Sequence, residues 1–528
     1  MKLSTSFARF KKLHKNKYNQ TIYYSQNCRD YRFIENLYKF ILVKKNSFIF
    51  ESVEKGTIRG RYTIMGFNPD KIYDIKKGKI IEDDFKKKKI IKKNILKYLN
   101  ELLKNFKVKS PNNIPKMSSM LVGYFSYDII RLIEQIPNKC KNDIDIPDIR
   151  LMRPKNVIIY DNLKKKIFFI QNIFKEENIE NYKIKYLSIK KALLELQYFG
   201  NISLPENFHK TNNKIKVRSN ISKSKFKKNV LKAKEYIKKG DIFQVVLSQR
   251  FEAKIDKPAL EIYNTLRILN PSPFMFYFNY DDFQILGSSP EILVRLLDGK
   301  VTIRPIAGTR PRGKNKKQDS KLTNELLNDP KELAEHLMLL DLGRNDVGKV
   351  SRTNSVKVTE RFKVEKYSHV MHIVSNVTGK LKEKFSLFET FLSGFPAGTV
   401  SGAPKIRAME IIDELESSKR KLYAGGIGYF TANQDFDTCI ALRTALIKNK
   451  KIYVQAGASY IVFTSTVSIT LFIGTLQNND IFFLSVFGIS LSDLQIIISG
   501  WMPKLLNSLT ECWVGFVFNS PAELKYGI

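Results

Sequence analysis

The chain has 528 residues and a formal net charge of +39 at pH 7, and its length allows two or three domains. The excess of positive charge comes mostly from lysines scattered along the whole sequence, so it predicts neither a nucleic-acid-binding protein nor a membrane protein. The cysteines, Cys28, Cys140, Cys439 and Cys512, are too few and too far apart for a disulfide framework or a zinc site, which fits a cytoplasmic protein.

The first residues, MKLSTSFARFKKLHKNKY, are basic and contain no apolar segment. They therefore do not predict a secretory signal. A transit peptide stays open, although the lack of acidic residues before Asp30 means little in so basic a chain.

Residues 1–200 mix short apolar runs with lysine-rich connectors. The segment FIFESVEKGTIRGRYTIMGFNP predicts two strands joined by a glycine-containing turn, and Met120–Tyr127 predicts a third strand. The polar residues 201–220 are typical of a linker. We therefore divide the chain into an N-terminal domain at 1–200, that linker, a second domain at 221–459 and a tail at 460–528.

A helix is predicted directly after the linker. The segment SKSKFKKNVLKAKEYIKKG places Phe226, Val230, Ala233 and Ile237 at helical spacing and stops at Gly240, a suitable glycine for a helix end. The strand DIFQVVLSQRF follows at once.

The next informative stretch, GSSPEILVRLLDGKVTIRPIAGTRPRG, predicts a β-hairpin. Ile292–Leu297 and Lys300–Pro305 are apolar and β-branched, and Asp298-Gly299 between them suits a two-residue type I′ turn. That turn sets Leu297 opposite Lys300 and therefore Glu291 opposite Ile306.

The open end of this hairpin carries polar chemistry. Glu291 would lie beside the Ala307-Gly308-Thr309 loop, where Gly308 leaves its amide open to a ligand and Arg310 and Arg312 add positive potential. This arrangement suits an acid or base beside a carboxylate-bearing substrate. The alternative is an ordinary hairpin with a basic tip.

Two further helices are predicted, one at Pro330–Leu340 and one from about Pro404. The second follows the glycine-punctuated loop SGFPAGTVSGA, which is not a Walker A motif because no Gly-Lys-Ser/Thr follows its last glycine. Its amides can still cradle an anion.

Seven motifs in order resemble one family. GDIFQVVLSQRF, NPSPFMFYF, GSSPE, RPIAGTRPRG, EHLMLLDLGRND, SGAPKIRAMEIIDELE and GGIGYF are similar to the chorismate-utilising enzymes, specifically to the large subunit (component I) of anthranilate synthase. The resemblance runs from about Phe48 to Gly457. It implies an α+β fold, with antiparallel β-sheets packed together and flanked by helices and an active site in the cleft between subdomains.

Two positions favour the anthranilate branch. Relatives that add water to chorismate carry a lysine base where this chain has Gln244, and aminodeoxychorismate synthases carry a lysine where it has Ala307. An aminodeoxychorismate or isochorismate synthase is the alternative within the enzymes. A catalytically inactive homologue that still binds a partner or tryptophan is the alternative outside them.

The resemblance implies a Mg²⁺-dependent reaction in which ammonia attacks chorismate, the ring hydroxyl departs, and pyruvate is eliminated to leave anthranilate. Glu291 would protonate the departing hydroxyl, and Gly308 and Thr309 would hold the substrate, with the Thr309 hydroxyl beside the reacting groups. Glu335, with Glu332 one helical turn away, would hold Mg²⁺. Without the resemblance these two glutamates would be interpreted as a solvated helix face.

The resemblance assigns four further residues to chorismate. His372 would take part in pyruvate elimination, and Tyr423, Arg443 and the Gly457 amide would bind the substrate. Packed structural roles are the alternative for each of these residues.

A second set resembles the family's pocket for the feedback inhibitor tryptophan. The set begins at Phe50-Glu51-Ser52, and its residues are Glu51, Ser52, Pro273, Met275, Tyr429 and Cys439. A domain interface is the alternative. Because the chain contains nothing that resembles a glutaminase, the resemblance implies a glutamine amidotransferase partner (component II) that supplies ammonia in a hetero-oligomer.

The sequence departs from the family after Gly457. Ser459 replaces a glycine. The family has an acidic metal-binding segment at the positions of Thr466–Phe472, which contain no carboxylate here, and the first acidic residue of the tail is Asp480. Such an abrupt change of composition predicts a shifted reading frame in residues 460–528 more strongly than it predicts a membrane-prone segment. Whether this chain is active therefore stays open.

Overall fold

The computed structural model describes residues 2–52, 60–202, 215–367 and 370–461. The predictions for the tail, including Thr466–Phe472 and Asp480, lie outside these residues. The predicted turn between the first two strands, within FIFESVEKGTIRGRYTIMGFNP, also lies partly outside the described residues. No helix in the described ranges is both long enough and apolar enough to cross a membrane.

The described residues contain helices that cover the sheet. They are α1 (Phe7–Lys15), α2 (Tyr31–Leu42), α3 (Ile95–Asn105), α4 (Tyr182–Gly200), α5 (Lys223–Lys238), α6 (Ala259–Leu269), α7 (Lys316–Asn328), α8 (Pro330–Val350), α9 (Leu387–Ser393) and α10 (Lys405–Leu415).

Helix α5 shows why these segments are helical. The Ser222 side chain caps it by accepting from the Lys225 N–H, and its predicted apolar positions are all buried. Gly240 follows with a φ of +79°, as predicted for the helix end. Helix α8 runs ten residues beyond its predicted end at Leu340, because DLGRND contains no proline and the single Gly343 costs only about 1 kcal/mol.

The strands form one hydrogen-bonded network in which every pairing between named strands is antiparallel. They are β1 (Gln20–Asn27), β2 (Ser47–Glu51), β3 (Tyr62–Lys76), β4 (Lys79–Asp83), β5 (Lys88–Ile91), β6 (Met120–Phe125), β7 (Ile149–Asp161), β8 (Lys166–Ile173), β9 (Val217–Ser219), β10 (Gln244–Lys254), β11 (Phe274–Asn279), β12 (Gln284–Ser289), β13 (Ile292–Leu297), β14 (Lys300–Ile303), β15 (Ile306–Pro311), β16 (Lys357–Lys366), β17 (Val370–Lys380), β18 (Gly402–Ala403), β19 (Gly426–Thr431), β20 (Phe436–Ile440), β21 (Thr444–Lys448) and β22 (Lys451–Ile461).

Two arms leave the long antiparallel pair of β3 and β7. The first arm runs from β3 through β2, β11, β12, β21 and β22 to β10. The second runs from β7 through β6, β19, β20, β13 and β14 to β17, which also pairs with β15 and β16.

The arms pack on one another through a core that draws on both. Phe48 and Phe276 of the first arm share a buried cluster with Val122, Ile427 and Cys439 of the second. Antiparallel sheets packed together and flanked by helices are the predicted α+β architecture, which is confirmed.

The predicted division of the chain into domains stays a prediction. Strand β2, from residues 1–200, pairs directly with β11 of residues 221–459, and β6 pairs with β19. Residues on both sides of the predicted linker therefore build the same sheets.

Candidate functional site

Glu291 lies where the chain passes from β12 of the first arm to β13 of the second. Its side chain is 4% exposed, and the Thr399 hydroxyl lies 3.3 and 3.2 Å from its two oxygens. The Ile306 N–H also donates to this carboxyl group, as expected from the predicted pairing. Burial raises the pKa of Glu291 to about 8, although the bonds from Thr399 and Ile306 oppose the rise.

The hairpin around Glu291 has the predicted turn. Leu297 pairs with Lys300, and Asp298 and Gly299 have φ angles of +51° and +71°, as a type I′ turn requires. The second strand ends at Ile303 rather than Pro305.

Gly308 lies in a β-bulge of β15, so the prediction of an Ala307-Gly308-Thr309 loop was wrong. Ala307 pairs with Ile373 and Thr309 with His372, which leaves Gly308 as the extra residue, with a φ of +67°. The prediction failed because the partner strand β17 is distant in sequence. A bulge turns backbone groups away from the ladder, which suits a ligand contact.

His372 is placed beside this bulge. Its Nδ1 lies 3.0 Å from Thr309 Oγ1 and 3.1 Å from the Gly308 carbonyl oxygen. Because a carbonyl oxygen only accepts, Nδ1 carries the proton, and in the neutral ring Nε2 is then the basic nitrogen. The imidazole is 7% exposed, whereas Thr309 is exposed.

Glu332 and Glu335 of α8 are both buried, so the alternative of a solvated helix face is wrong. A Cβ atom on Gly308 would lie 3.2 Å from Glu332 Oε2, which brings α8 against the bulge. Gln244 Nε2 lies 3.4 Å from Glu335 Oε1. Burial, together with the charge of Glu332, raises the pKa of Glu335 to about 8, and burial also raises the pKa of Glu332.

Arg310 and Arg312 bind protein carboxylates rather than adding free positive potential, which corrects the sequence interpretation. Arg310 donates to Glu332 Oε1 at 3.2 Å and to Asp329 Oδ2 at 2.7 Å. Arg312 donates to Asp319. Arg310 thus ties the bulged strand to the first turn of α8.

The Glu332–Glu335 pair offers hard oxygen ligands of the kind that a divalent cation prefers. Within the described ranges, no group of three or more His, Cys, Asp or Glu side chains is arranged to hold a metal ion. Mg²⁺, however, takes one or two protein carboxylates and completes its shell with water and substrate oxygens. Glu332 and Glu335 are buried, and the negative charge of Glu332 disfavours that of Glu335. A bound cation would offset this repulsion, so the pair suits such an ion.

Thr399 and Ser459 were missed as site residues. Thr399 lies in the short 3-10 segment Gly398–Val400 of the glycine-punctuated loop, and its residue type gives no signal that it reaches Glu291. Ser459 Oγ accepts from Gln244 Nε2 at 2.7 Å, while the buried Gln244 Oε1 has no partner within the described ranges.

Tyr423 and Gly457 are brought into contact. A Cβ atom on Gly457 would collide with the Tyr423 hydroxyl oxygen, so glycine is required at that point of β22. The phenol ring is buried, and burial raises the pKa of Tyr423 to about 12.

Arg443 follows β20 in a left-handed conformation with a φ of +47°. Its guanidinium Nη1 donates to Asn270 Oδ1 at 3.3 Å. Ile440, three residues earlier, donates its N–H to the Glu291 carbonyl oxygen at 3.1 Å, so this segment and Glu291 are neighbours.

The residues predicted for tryptophan binding cluster at the end of β2. Met275 pairs with Glu51, and Phe50 makes an edge-to-face ring contact with Tyr429 at 5.7 Å between centroids. Cys439 lies on the same face of the β19–β20 pair as Tyr429, and one cross-strand pair, Gly428 with Thr438, separates them. Pro273 is half-buried two residues before Met275.

Two polar groups of this cluster decide what it can bind. The Glu51 carboxylate accepts from the Tyr263 hydroxyl at 2.6 Å and from Arg267 Nε at 2.7 Å. The Ser52 hydroxyl oxygen is buried and has no hydrogen-bond partner among the residues that the structure describes. A buried hydroxyl that lacks a hydrogen bond is costly unless a ligand supplies one.

Comparison with known proteins gives consistent matches. Residues 45–468 match the family described as chorismate binding enzyme. Anthranilate synthase component 1 of Acetivibrio thermocellus is 44% identical over 419 residues, 78% of this chain and 85% of that protein. The same component of Cereibacter sphaeroides is 42% identical over 464 residues, 87% of this chain and 93% of that protein.

A solved structure agrees. Anthranilate synthase component I from Streptococcus pneumoniae superposes with a TM-score of 0.69 at 36% identity and covers 78% of this chain and 89% of that chain. The chain therefore belongs to the chorismate-binding enzyme family. Its resemblance to anthranilate synthase component I, predicted from seven motifs, is confirmed by these relatives.

Proposed function

We propose that this chain is the chorismate-converting subunit of an anthranilate synthase in tryptophan biosynthesis. It would convert chorismate and ammonia to anthranilate and pyruvate in the cytoplasm. The observation that carries the proposal is Glu291, a buried carboxyl group with a pKa of about 8 beside the Gly308 bulge, in a chain that is 44% and 42% identical to two anthranilate synthase components 1.

Glu291 acts as the general acid. Because its pKa is raised to about 8, the carboxyl group is protonated at neutral pH and can donate a proton to the departing ring hydroxyl. The Ile306 N–H and the Thr399 hydroxyl hold the carboxyl group in place from two sides. The same two bonds stabilise the carboxylate that is left after the proton has gone.

His372 and Thr309 serve the second half of the reaction. The Gly308 carbonyl fixes the imidazole with the proton on Nδ1, so Nε2 is the nitrogen that would act as the base for pyruvate elimination. Thr309 is bonded to the same ring, and its exposed hydroxyl with the Gly308 backbone faces the substrate.

Arg443, Tyr423 and Gly457 bind chorismate. A guanidinium suits a carboxylate, and Arg443 is oriented by Asn270. The Tyr423 hydroxyl lies against Gly457, so one end of the substrate would contact both the phenol and the backbone amide.

Glu335 and Glu332 would hold Mg²⁺, which would neutralise and orient a substrate carboxylate. Of the two, Glu335 is the better ligand, because Arg310 already binds one oxygen of Glu332. Glu332 then keeps α8 close to the Gly308 bulge.

Free tryptophan would bind at Glu51, Ser52, Pro273, Met275, Tyr429 and Cys439 and inhibit the enzyme. The Ser52 hydroxyl, which has no partner in the described part of the chain, supports this pocket, because it could donate a hydrogen bond to the carboxylate of an amino acid. A glutamine amidotransferase subunit would supply ammonia in a hetero-oligomer.

The test incubates the purified chain with chorismate, Mg²⁺ and an ammonium salt and follows anthranilate fluorescence. A second protein, in which a family-type acidic C-terminus replaces everything after Gly457, is assayed beside it. We expect weak turnover from the first and Mg²⁺-dependent turnover from the second. Isochorismate or aminodeoxychorismate as the product, or no chorismate consumption by either protein, would overturn the proposal.

A further inference from the structure

A buried ion pair lies beside the candidate site and takes no part in the proposed reaction. Glu416, the C-cap of α10, accepts from Arg420 Nε at 2.9 Å and from Arg420 Nη2 at 2.6 Å. The Arg420 side chain is 1% exposed and that of Glu416 is 6% exposed. A pair buried so completely adds little net stability, because removing both charges from water offsets their attraction. Its presence is better explained by what it holds in place.

The Arg420 guanidinium holds the backbone next to Thr399. Its Nη1 donates to the Val400 carbonyl oxygen at 2.8 Å, and its Nη2 donates to the Val246 carbonyl oxygen of β10 at 2.6 Å. Val400 follows Thr399 in the short 3-10 segment, and the Thr399 hydroxyl contacts both oxygens of Glu291. The guanidinium therefore fixes the peptide that follows the hydroxyl partner of the acid.

The same ion pair reaches the residues proposed to bind the substrate. Glu416 Oε1 accepts from the N–H and from the hydroxyl of Ser248, both at 2.8 Å. Ser248 pairs with Gly457 in the ladder of β10 and β22. The guanidinium carbon of Arg420 lies over the ring of Tyr423, 5.5 Å from its centroid, which is a cation–π distance. One ion pair thus connects the two sides of the site.

Only an arginine can make this set of contacts at once. Its Nε, Nη1 and Nη2 atoms donate to the end of α10, to the 3-10 segment and to β10. The guanidinium is planar and rigid, so these three acceptors are held at fixed positions relative to one another. A lysine keeps the charge but offers a single flexible ammonium, which cannot reach all three.

We propose that Arg420 is the residue that positions the Thr399 hydroxyl on Glu291. Glu416 orients the guanidinium, and the same guanidinium supports the ring of Tyr423 from one face. Arg420 acts through these side chains and is a positioning residue rather than a catalytic one. The part that concerns Tyr423 rests on the proposed function, namely on chorismate binding at that ring.

The titration of Glu291 reports on the bond from Thr399. Burial raises the pKa of Glu291 above its ordinary value of 4.5, and the bonds from Thr399 and Ile306 lower it. Loss of the Thr399 bond therefore raises this pKa further, whereas loosened packing that admits water lowers it. A positioning role and a merely structural role of Arg420 thus predict shifts of opposite sign.

The experiment places Arg420→Lys in the full chain, with and without Glu291→Gln, and measures Tm in EDTA from about pH 5 to about pH 10. The Tm of the protein with Gln at position 291 minus that of the protein with Glu rises with pH until the folded pKa of Glu291 is passed. We expect Arg420→Lys to move that end point upward by at least about half a pH unit.

A second variant keeps the test decisive if Arg420→Lys does not fold. Arg420→Met with Glu416→Gln removes both charges together, and the glutamine oxygen can still accept from Ser248. Replacing both members of a buried ion pair costs far less than removing one. We expect the same upward shift of the Glu291 end point.

Arg150→Lys is the matched control. Arg150 donates to both oxygens of Asp74 at 2.8 Å, and its guanidinium carbon lies 5.2 Å from the ring centroid of Tyr280. It is therefore also an arginine that binds a carboxylate with two bonds and stacks on a tyrosine, but its contacts are with other parts of the fold. We expect this variant to leave the Glu291 end point unchanged.

Calorimetry with chorismate and Mg²⁺, without ammonium, tests the substrate side. We expect Arg420→Lys to raise the chorismate Kd by at least about three-fold and Arg150→Lys to leave it unchanged. An unchanged Kd in Arg420→Lys would overturn the support of Tyr423.

The titration decides the positioning of Thr399 by itself. An end point that stays constant or falls in Arg420→Lys, or in the double variant if that is the protein that folds, would overturn the proposal. A rise that Arg150→Lys shares would overturn it as well, because the effect would then not depend on the contact with Val400. Failure of the unmodified chain to bind chorismate would count against the proposed function and not against the positioning of Thr399.

Discussion

Replacing Glu291 by glutamine tests the central acid of the site without relying on turnover. The pKa of this carboxyl group is about 8 in the folded chain against an ordinary value of 4.5, because burial disfavours its charge. A glutamine can accept from the Ile306 N–H with its oxygen and donate to the Thr399 hydroxyl with its amide. The substitution therefore removes the ionisation and keeps the hydrogen bonds.

The sign of the effect follows from proton linkage. A carboxyl group whose pKa is raised by folding contributes stability that is fully present below its unfolded pKa and lost as pH rises through its folded pKa. Relative to Glu291→Gln, the free energy of unfolding of the unmodified chain should fall by up to about 1.4 kcal/mol per pH unit between roughly pH 4.5 and 8. From pH 6 to pH 8 the loss is about 2 to 3 kcal/mol.

Thermal unfolding in EDTA provides the assay. For a chain of this size the unfolding entropy is about 1 kcal/mol/K. The Tm of Glu291→Gln minus the Tm of the unmodified chain should therefore be about 2 to 3 °C larger at pH 8 than at pH 6. Glu335 is present in both proteins, so its own titration cancels. Glu195→Gln, at an exposed position of α4, is the control and should show no such gain.

Turnover gives the second readout. Loss of a general acid costs about 10²- to 10⁴-fold, so ammonia-dependent anthranilate formation by Glu291→Gln should fall by that factor in any form of the chain that is active. A Tm difference that stays constant from pH 6 to pH 8 would refute the raised pKa. Near-normal turnover would remove Glu291 from the mechanism.

The remaining predictions concern the metal, the inhibitor and the tail. Glu335→Gln should weaken Mg²⁺ binding measured by calorimetry at least about ten-fold, and an unchanged affinity would take this residue out of the metal site. Ser52→Ala or Met275→Ala should relieve inhibition by free tryptophan without loss of turnover, whereas unchanged sensitivity in both variants would mean that the pocket is misplaced. A family-type acidic C-terminus after Gly457 should restore Mg²⁺-dependent turnover, and robust anthranilate formation by the unmodified chain would contradict this expectation.

Local sequence predicted the hairpin because turn chemistry fixes register. Asp298-Gly299 admits the positive φ angles of a type I′ turn, and from that turn the position of Glu291 near Ile306 follows by counting residues. The same reasoning could not find the Gly308 bulge, which depends on how β17 pairs with β15 from more than sixty residues away. Local rules therefore predicted the position of Glu291 and missed the β-bulge at Gly308.

The charges were the least predictable part of the site. Arg310 was interpreted as positive potential for a substrate, yet it binds Glu332 and Asp329, because α8 packs against β15 in the fold. Likewise, Glu332 and Glu335 have the spacing of an exposed helix face, and only the sheet that covers them makes them buried. Residue type gives the charge, whereas its partner is set by tertiary packing.

Burial alone does not explain how Glu291 and Glu335 can have different roles, since it raises both pKa values to about 8. Their neighbours differ. Glu291 faces a hydroxyl and a backbone N–H, both neutral, so nothing at the site favours its charge strongly and it can remain a proton donor. Glu335 faces the carboxylate of Glu332, so a divalent cation would lower the energy of both charges and convert Glu335 to an ionised ligand. Burial can therefore raise the pKa of an acid and of a metal ligand alike, and the neighbours of each carboxyl group set its role.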